Sequence, residues 1–107
     1  MKLNGWVNQP PNIPAKPMGV GNGVINRPYY LTAGTMDPEG CPVLYCWDWG
    51  DGTMSNWLGP YDSGPKVTFV HQWAHAGTYQ VRVKALDARG AESGWSDSLS
   101  VIIRSFS

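Results

Sequence analysis

Val43-Leu44-Tyr45-Cys46-Trp47-Asp48-Trp49, followed at once by Gly50-Asp51-Gly52-Thr53, is the stretch that decides the fold. Val43, Tyr45, Trp47 and Trp49 share one parity and Leu44, Cys46 and Asp48 the other. A period of two is that of a strand, whose successive side chains point to opposite faces. The Asp-Gly pair then tolerates the positive φ angles of a tight hairpin turn, so the chain is expected to reverse at Gly50–Thr53.

The same pattern recurs on both sides. Arg27–Thr35 carries Tyr29, Leu31 and Ala33 on one parity and stops at the turn formers Asp37-Pro38-Glu39-Gly40. Met54–Leu58 is expected to return as a short strand before a loop over Gly59–Pro65. Lys66–Trp73 alternates with Val67, Phe69, His71 and Trp73 inward. Gly77–Asp87 sets Tyr79, Val81, Val83 and Ala85 against Gln80, Arg82 and Lys84. After a turn at Ala88-Arg89-Gly90, Leu99, Val101 and Ile103 alternate in a last strand. No window has a helical period. About seven short strands of this kind predict an all-β fold, a two-sheet antiparallel β-sandwich with the odd-parity aromatics meeting between the sheets. Residues 1–16, rich in Asn and Pro without any period, read as a semi-extended linker or extension, and residues 17–107 as the sandwich domain.

Composition narrows the function classes. The 107 residues carry 8 Lys+Arg and 8 Asp+Glu, a net charge of zero, with no run of like charges, which argues against a nucleic-acid binder. Only 15% of residues are charged, where about 25% is usual, while 13 Gly, 9 Pro and 6 Trp suit strands and turns. No stretch approaches the roughly 20 apolar residues of a membrane helix, so no membrane insertion is expected. Met1-Lys2-Leu3-Asn4-Gly5-Trp6 lacks the apolar core of an export signal. Cys41 and Cys46 are too few for a disulfide framework, and five residues of strand would hold them roughly 16 Å apart, far beyond a bridge.

Trp47-Asp48-Trp49-Gly50-Asp51-Gly52-Thr53 resembles the WDFGDGT signature of PKD domains, the polycystic-kidney-disease-type sandwiches of immunoglobulin-like fold. His71-Gln72-Trp73 with Gly77-Thr78-Tyr79-Gln80-Val81 resembles the family's H-x-Y … GTYTV segment, and Asp37-Pro38-Glu39-Gly40 its Asp-Pro-Asp-Gly turn. Residues 56–64 and 91–97 look like the variant found in archaeal and bacterial surface proteins. The resemblance covers roughly residues 8–103 and departs at Glu39 and at the two cysteines. It implies a non-catalytic, extracellular or cell-surface module that acts as a spacer or contacts proteins or glycans. Strand order adds that the two termini should lie at opposite poles, as in beads on a string.

Four constellations bear on chemistry. Cys41, Cys46, His71 and His75 imitate a zinc set, but an i, i+4 histidine pair shares a face only on a helix, and this segment alternates as a strand. A calcium site is the stronger candidate. Strand direction gathers the Asp37 turn, the Asp87 turn and the linker near Asn12 at one pole, where Asn12, Asp37, Glu39 and Asp87 supply the oxygens calcium prefers. The resemblance agrees, since some PKD domains, notably those of bacterial collagenases, bind calcium near this linker. The alternative is that these are ordinary turn formers. Catalysis is not expected: Asp48 faces outward, Asp51 sits in a turn, and there is no Gly-x-Ser-x-Gly elbow. Finally, Trp47, Trp49 and Trp73 have core parity, leaving Trp6, Trp57 and Trp95. Trp57, Tyr61 and Trp95 make either a stacking platform for a glycan or a satellite cluster packed on itself.

These readings predict a non-catalytic structural or adhesive module with no required cofactor beyond a calcium site. Its partners would be a surface protein, a glycan or neighbouring copies of itself. The rival readings are a self-assembling subunit, whose N-terminal extension adds to a neighbour's sheet edge, and a carbohydrate-binding module.

Overall fold

Alternating burial defines the strands. A computed structural model describes residues 8–105, none of them helical. Residues 1–7, with Trp6 and the first part of the linker, lie outside the described residues. Eight strands follow in order: β1 (Met18–Gly19), β2 (Asn22–Val24), β3 (Tyr29–Ala33), β4 (Val43–Asp48), β5 (Leu58–Tyr61), β6 (Val67–His71), β7 (Gly77–Asp87) and β8 (Leu99–Arg104). One sheet runs β1-β3-β6 and the other β2-β8-β7-β4-β5. The fold is the expected immunoglobulin-like sandwich, with departures. The short strands β1 and β2 fall between residues 17 and 26, where no strand was expected. β2 runs parallel to β8, and the return strand after the hairpin begins at Leu58 rather than Met54. Only one bridge, Asp48 to Met54, forms before it. Gly59–Pro60, expected as loop, is strand.

The odd-parity residues do meet between the sheets. Leu31 and Phe69 from the smaller sheet pack against Tyr45, Trp47, Val81, Val83, Ala85, Val101 and Ile103 from the larger, closed at one end by Trp49 and Trp73. Such removal of large apolar surface from water is the main favourable term in folding. Trp47 and Trp49 stack with ring centroids 4.9 Å apart, although strand neighbours of like parity ordinarily sit side by side. Gly50 has φ +80, and a Cβ there would stand 2.6 Å from the Gln80 carbonyl oxygen, so only glycine fits.

A serine device extends the larger sheet where regular pairing stops. Ser93 donates its N–H to the Ala85 carbonyl (2.8 Å), and its hydroxyl accepts from the Ala85 N–H (2.9 Å). Ser96 does the same to Val83, and Ser55 to Trp47 on the opposite flank. Each hydroxyl in turn donates a hydrogen bond to the carbonyl of the following residue. One serine thus replaces two residues of a ladder, satisfying N–H groups buried in the sheet.

The register also fixes the poles. Asn8 bonds Asp87, the last residue of β7, whereas Ile103 near the end of β8 opposes Gly77, its first. The length of β7, 11 residues and so ten steps, separates them by about 33 Å at 3.3 Å per residue. The described chain therefore enters at one pole and leaves at the other, as strand order predicted.

Candidate functional site

The linker does not hang free of the sandwich. Asn8 Nδ2 donates to Asp87 Oδ2 at 2.8 Å, the Gln9 N–H to Glu39 Oε2 at 3.1 Å, and the Asn12 N–H to the Met36 carbonyl at 3.0 Å. The Thr35 hydroxyl returns a bond to the Asn12 carbonyl. The Asp37 turn, the Asp87 turn and the linker thus gather at one pole, as the strand directions required.

Each turn is built round a buried aspartate, both 1% exposed. Asp37 Oδ2 accepts from the N–H groups of Glu39 (2.9 Å) and Cys41 (3.1 Å). Asp87 Oδ1 accepts from those of Arg89 (2.8 Å) and Ala91 (3.0 Å). Burial alone would raise the Asp87 carboxyl. The N–H of Ala91, the Asn8 amide and the N–H of Arg89 outweigh it and hold that carboxyl below its ordinary 3.8. Burial first, and then the Asp37 carboxylate, push the Cys41 thiol up, so it stays protonated at neutral pH.

Three oxygens at this pole are buried and accept nothing: Asn8 Oδ1, Asp37 Oδ1 and Glu39 Oε1. Buried acceptors without donors are costly and rare, and a hard cation satisfies several at once. Among the described residues no three His, Cys, Asp or Glu side chains close round a point by themselves. The set needs the Asn8 amide, and backbone carbonyls or water, to reach calcium's usual six to eight oxygens. Of the residues named from the sequence, Asp37, Glu39 and Asp87 come together here. Asn12 is exposed and binds the pole through its backbone; Asn8 is the asparagine at the cluster. Its only sequence signal was membership of the same Asn/Pro-rich segment.

The aromatic trio separates. Tyr61 packs on the core, 5.8 Å from Phe69 and 6.2 Å from Tyr45 between ring centroids. Trp57 and Trp95, both half-buried, lie instead on the outer face of the larger sheet. The Lys84 ammonium sits 4.7 Å from the Trp95 ring centroid and 5.6 Å from that of Trp57, and is paired to Glu92 at 2.9 Å. Arg82 lies 4.5 Å over Trp95 and bonds Asp48. Cations from β7 lie against these two indoles while Tyr61 is turned to the core, so the three rings make no single sugar platform. The cladding also explains Cys46. Outward by parity, it is only 5% exposed, directly across from Lys84, and its thiol is bonded to the Ser55 carbonyl. Repeated Ser-x-Trp, at Ser55-Asn56-Trp57 and Ser93-Gly94-Trp95, was the unread signal for both ring positions.

The hairpin aspartates are likewise engaged. Asp48 Oδ1 accepts from the Gly50 N–H, while Asp51 Oδ1 accepts from the N–H and hydroxyl of Thr53. His71 Nε2 donates to Asp51 Oδ2 at 3.0 Å, and its ring stacks on Trp49 at 4.3 Å. Burial would raise the Asp51 carboxyl, but Thr53 and His71 together hold it below its usual range. His75 is exposed and shares nothing with this pair beyond its nearness in sequence. Trp73 closes the corner by donating Nε1–H to the Trp49 carbonyl. Aspartate, histidine and three tryptophans therefore lock one hairpin to the opposite sheet.

A family profile described as the PKD domain matches residues 18–98, the span from β1 almost to β8. The chain belongs to the PKD domain family. A solved PKD domain of an M14-like peptidase from Thermoplasmatales archaeon SCGC AB-540-F20 superposes with a TM-score of 0.84 at 45% identity, covering 92% of this chain and 99% of that one. Collagenase ColA from Bacillus cereus is 32% identical over 76 residues, 70% of this chain but 7% of the collagenase. This PKD domain thus spans a small part of that curated relative's length. The PKD domain is a non-catalytic module, and both of these relatives place it in a protein named for a peptidase or collagenase activity. PKD domains occur in extracellular proteins such as collagenase, and no helix among the described residues is long and apolar enough to cross a membrane.

Proposed function

We propose that this PKD domain is a non-catalytic extracellular or cell-surface spacer with adhesive contacts, its linker locked to the sandwich pole by calcium. The observation that carries this reading is the trio of buried, donor-less oxygens on Asn8, Asp37 and Glu39 beside the bonded pair Asn8–Asp87. Asn8 belongs to the linker, Asp37 and Glu39 to one turn of the sandwich, and Asp87, which holds the Asn8 amide, to another. A cation shared among them would fix the direction in which the linker leaves. Opposite poles for the two ends of the described chain suit a module that holds its neighbours apart. Partners of such a module are proteins more readily than glycans, because Tyr61 is turned to the core and the three aromatics share no one face.

Calcium when bound would supply only charge and coordination. Asn8, Asp37 and Glu39 would hold it, with Asp87 orienting the Asn8 amide. The test is thermal unfolding in calcium and in chelator. A native-state site stabilises by RT ln(1 + [Ca]/Kd), about 2.7 kcal/mol at a hundredfold excess over Kd. The midpoint should rise with calcium in the wild-type chain and stay flat in Asp37→Asn and Glu39→Gln. Equal midpoints in chelator and millimolar calcium for the wild type would remove the metal from this reading.

A further inference from the structure

The smaller sheet ends at β6, whose one side pairs with β3 along its whole length. Its other side makes no backbone hydrogen bond among the described residues. Every other sheet edge is blunted. β1 has two residues and β2 three, while β5 contains Gly59-Pro60 and a register shift against β4. Val67-Thr68-Phe69-Val70-His71 has no proline, glycine, lysine, arginine or acid, the residues that usually protect an edge. Its outer face is open as well. Val70 is 54% exposed and directly opposite Tyr30, 66% exposed, in the register of β3. Beside its end lies an open cleft of about 430 Å³ lined by Pro28, Val70, His71 and Gln72.

We propose that this edge pairs with β6 of a second copy, antiparallel about a two-fold axis through Phe69. The two three-stranded sheets then become one sheet of six. A two-fold axis makes a strand its own partner, so the sequence on either side of the centre decides whether pairing is favourable. Centred on Phe69, Thr68 faces the partner copy's Val70, and Val67 its His71. No like charges meet, and two pairs of β-branched or small residues fall side by side on the outer face, flanked by Tyr30 from each copy. β7 and β8 have strands on both sides in the larger sheet and offer no such edge. Five residues per partner form less than a standard interface, so the contact is weak, of the kind that matters where copies are concentrated or tethered.

Sedimentation velocity from micromolar concentrations up to about 1 mM, where a small interface is populated, reads the association directly. The wild-type chain should pass reversibly from monomer to dimer. Val70→Lys and Val70→Glu each place two like charges about 7–8 Å apart, diagonally across the axis, and should weaken dimerisation at least tenfold. An equimolar mixture of the two should recover it. Val70 is exposed, so both variants should unfold at the wild-type midpoint, which circular dichroism checks. Amide exchange should show protection rising with concentration along β6 and nowhere on β7. A wild-type chain that stays monomeric, or a dimer indifferent to both variants, would overturn the proposal. Loss of the dimer on deletion of residues 1–7, with Val70→Lys still dimeric, would assign the contact to the N-terminal segment instead and overturn it equally.

Discussion

Replacing Ser93 with alanine removes one hydroxyl from a buried flank of β7, and the loss is calculable. The Ser93 backbone still reaches the Ala85 carbonyl, but the Ala85 N–H loses the oxygen 2.9 Å away, in a residue with no exposed surface. Water has no ready access to replace it. An orphaned buried donor costs about 1–3 kcal/mol, the desolvation of that group rather than the smaller net value of a hydrogen bond. Ser96→Ala does the same to the Val83 N–H, and Ser55→Ala to that of Trp47. For a domain of this size each kcal/mol lowers the thermal midpoint by roughly 4–8 °C. Urea unfolding followed by tryptophan fluorescence gives the free energies. Ser93→Thr keeps the hydroxyl and should recover most of the loss. Ser55 and Ser93 flank β4 and β7 on opposite sides and share no partner, so their double variant should be additive within about 0.5 kcal/mol. Alanine variants at both Ser93 and Ser96 lying within about 0.5 kcal/mol of wild type would refute the device as a stabilising one.

Two further perturbations test the signature hairpin. Gly50→Ala should cost well over the roughly 1–2 kcal/mol of a left-handed residue, because its Cβ meets the Gln80 backbone; Gly52→Ala, also at positive φ but in open space, should cost only that strain. Equal losses in urea unfolding would show that the Gln80 contact is unimportant. The second concerns acid. The Asp51 and Asp87 carboxyls are held below the ordinary 3.8 in the folded state, so their contribution is full above about pH 5 and is lost as pH falls through the folded values. Unfolding free energy should therefore decline below about pH 4–5, more gently in Asp51→Asn, and an unchanged slope in that variant would exclude the Asp51 bonds as the cause.

Much of the fold was legible because strand alternation is a local property. β7 matches its expected span of Gly77–Asp87 to the residue, and β4 and β6 lie within theirs. Turn chemistry was legible for the same reason: Asp37 and Asp87 cap their own turns through atoms two and four residues away. The β5 boundary was missed because Gly59-Pro60 carries the local signature of a loop, whereas Leu58 and Tyr61 on either side pair with Tyr45 and Val43 and make the segment an edge. The aromatic trio was misgrouped for a related reason. Trp57, Tyr61 and Trp95 looked alike as loop aromatics, yet Tyr61 faces the core and the other two face Lys84.

By itself the sequence determined where the long strands β3, β4, β6, β7 and β8 lie, which face of each is buried, and that the WDWGDGT stretch turns back on glycine. Backbone geometry imposes all three over a few residues. Only the tertiary structure decided that Asn8, 79 residues from Asp87, completes the polar cluster rather than Asn12. It alone decided which serines replace a ladder and that cations cap the outer tryptophans. It also left one edge, β6, uncovered. Those outcomes depend on the register between distant strands, which sums many weak cross-strand preferences that no single stretch of sequence contains.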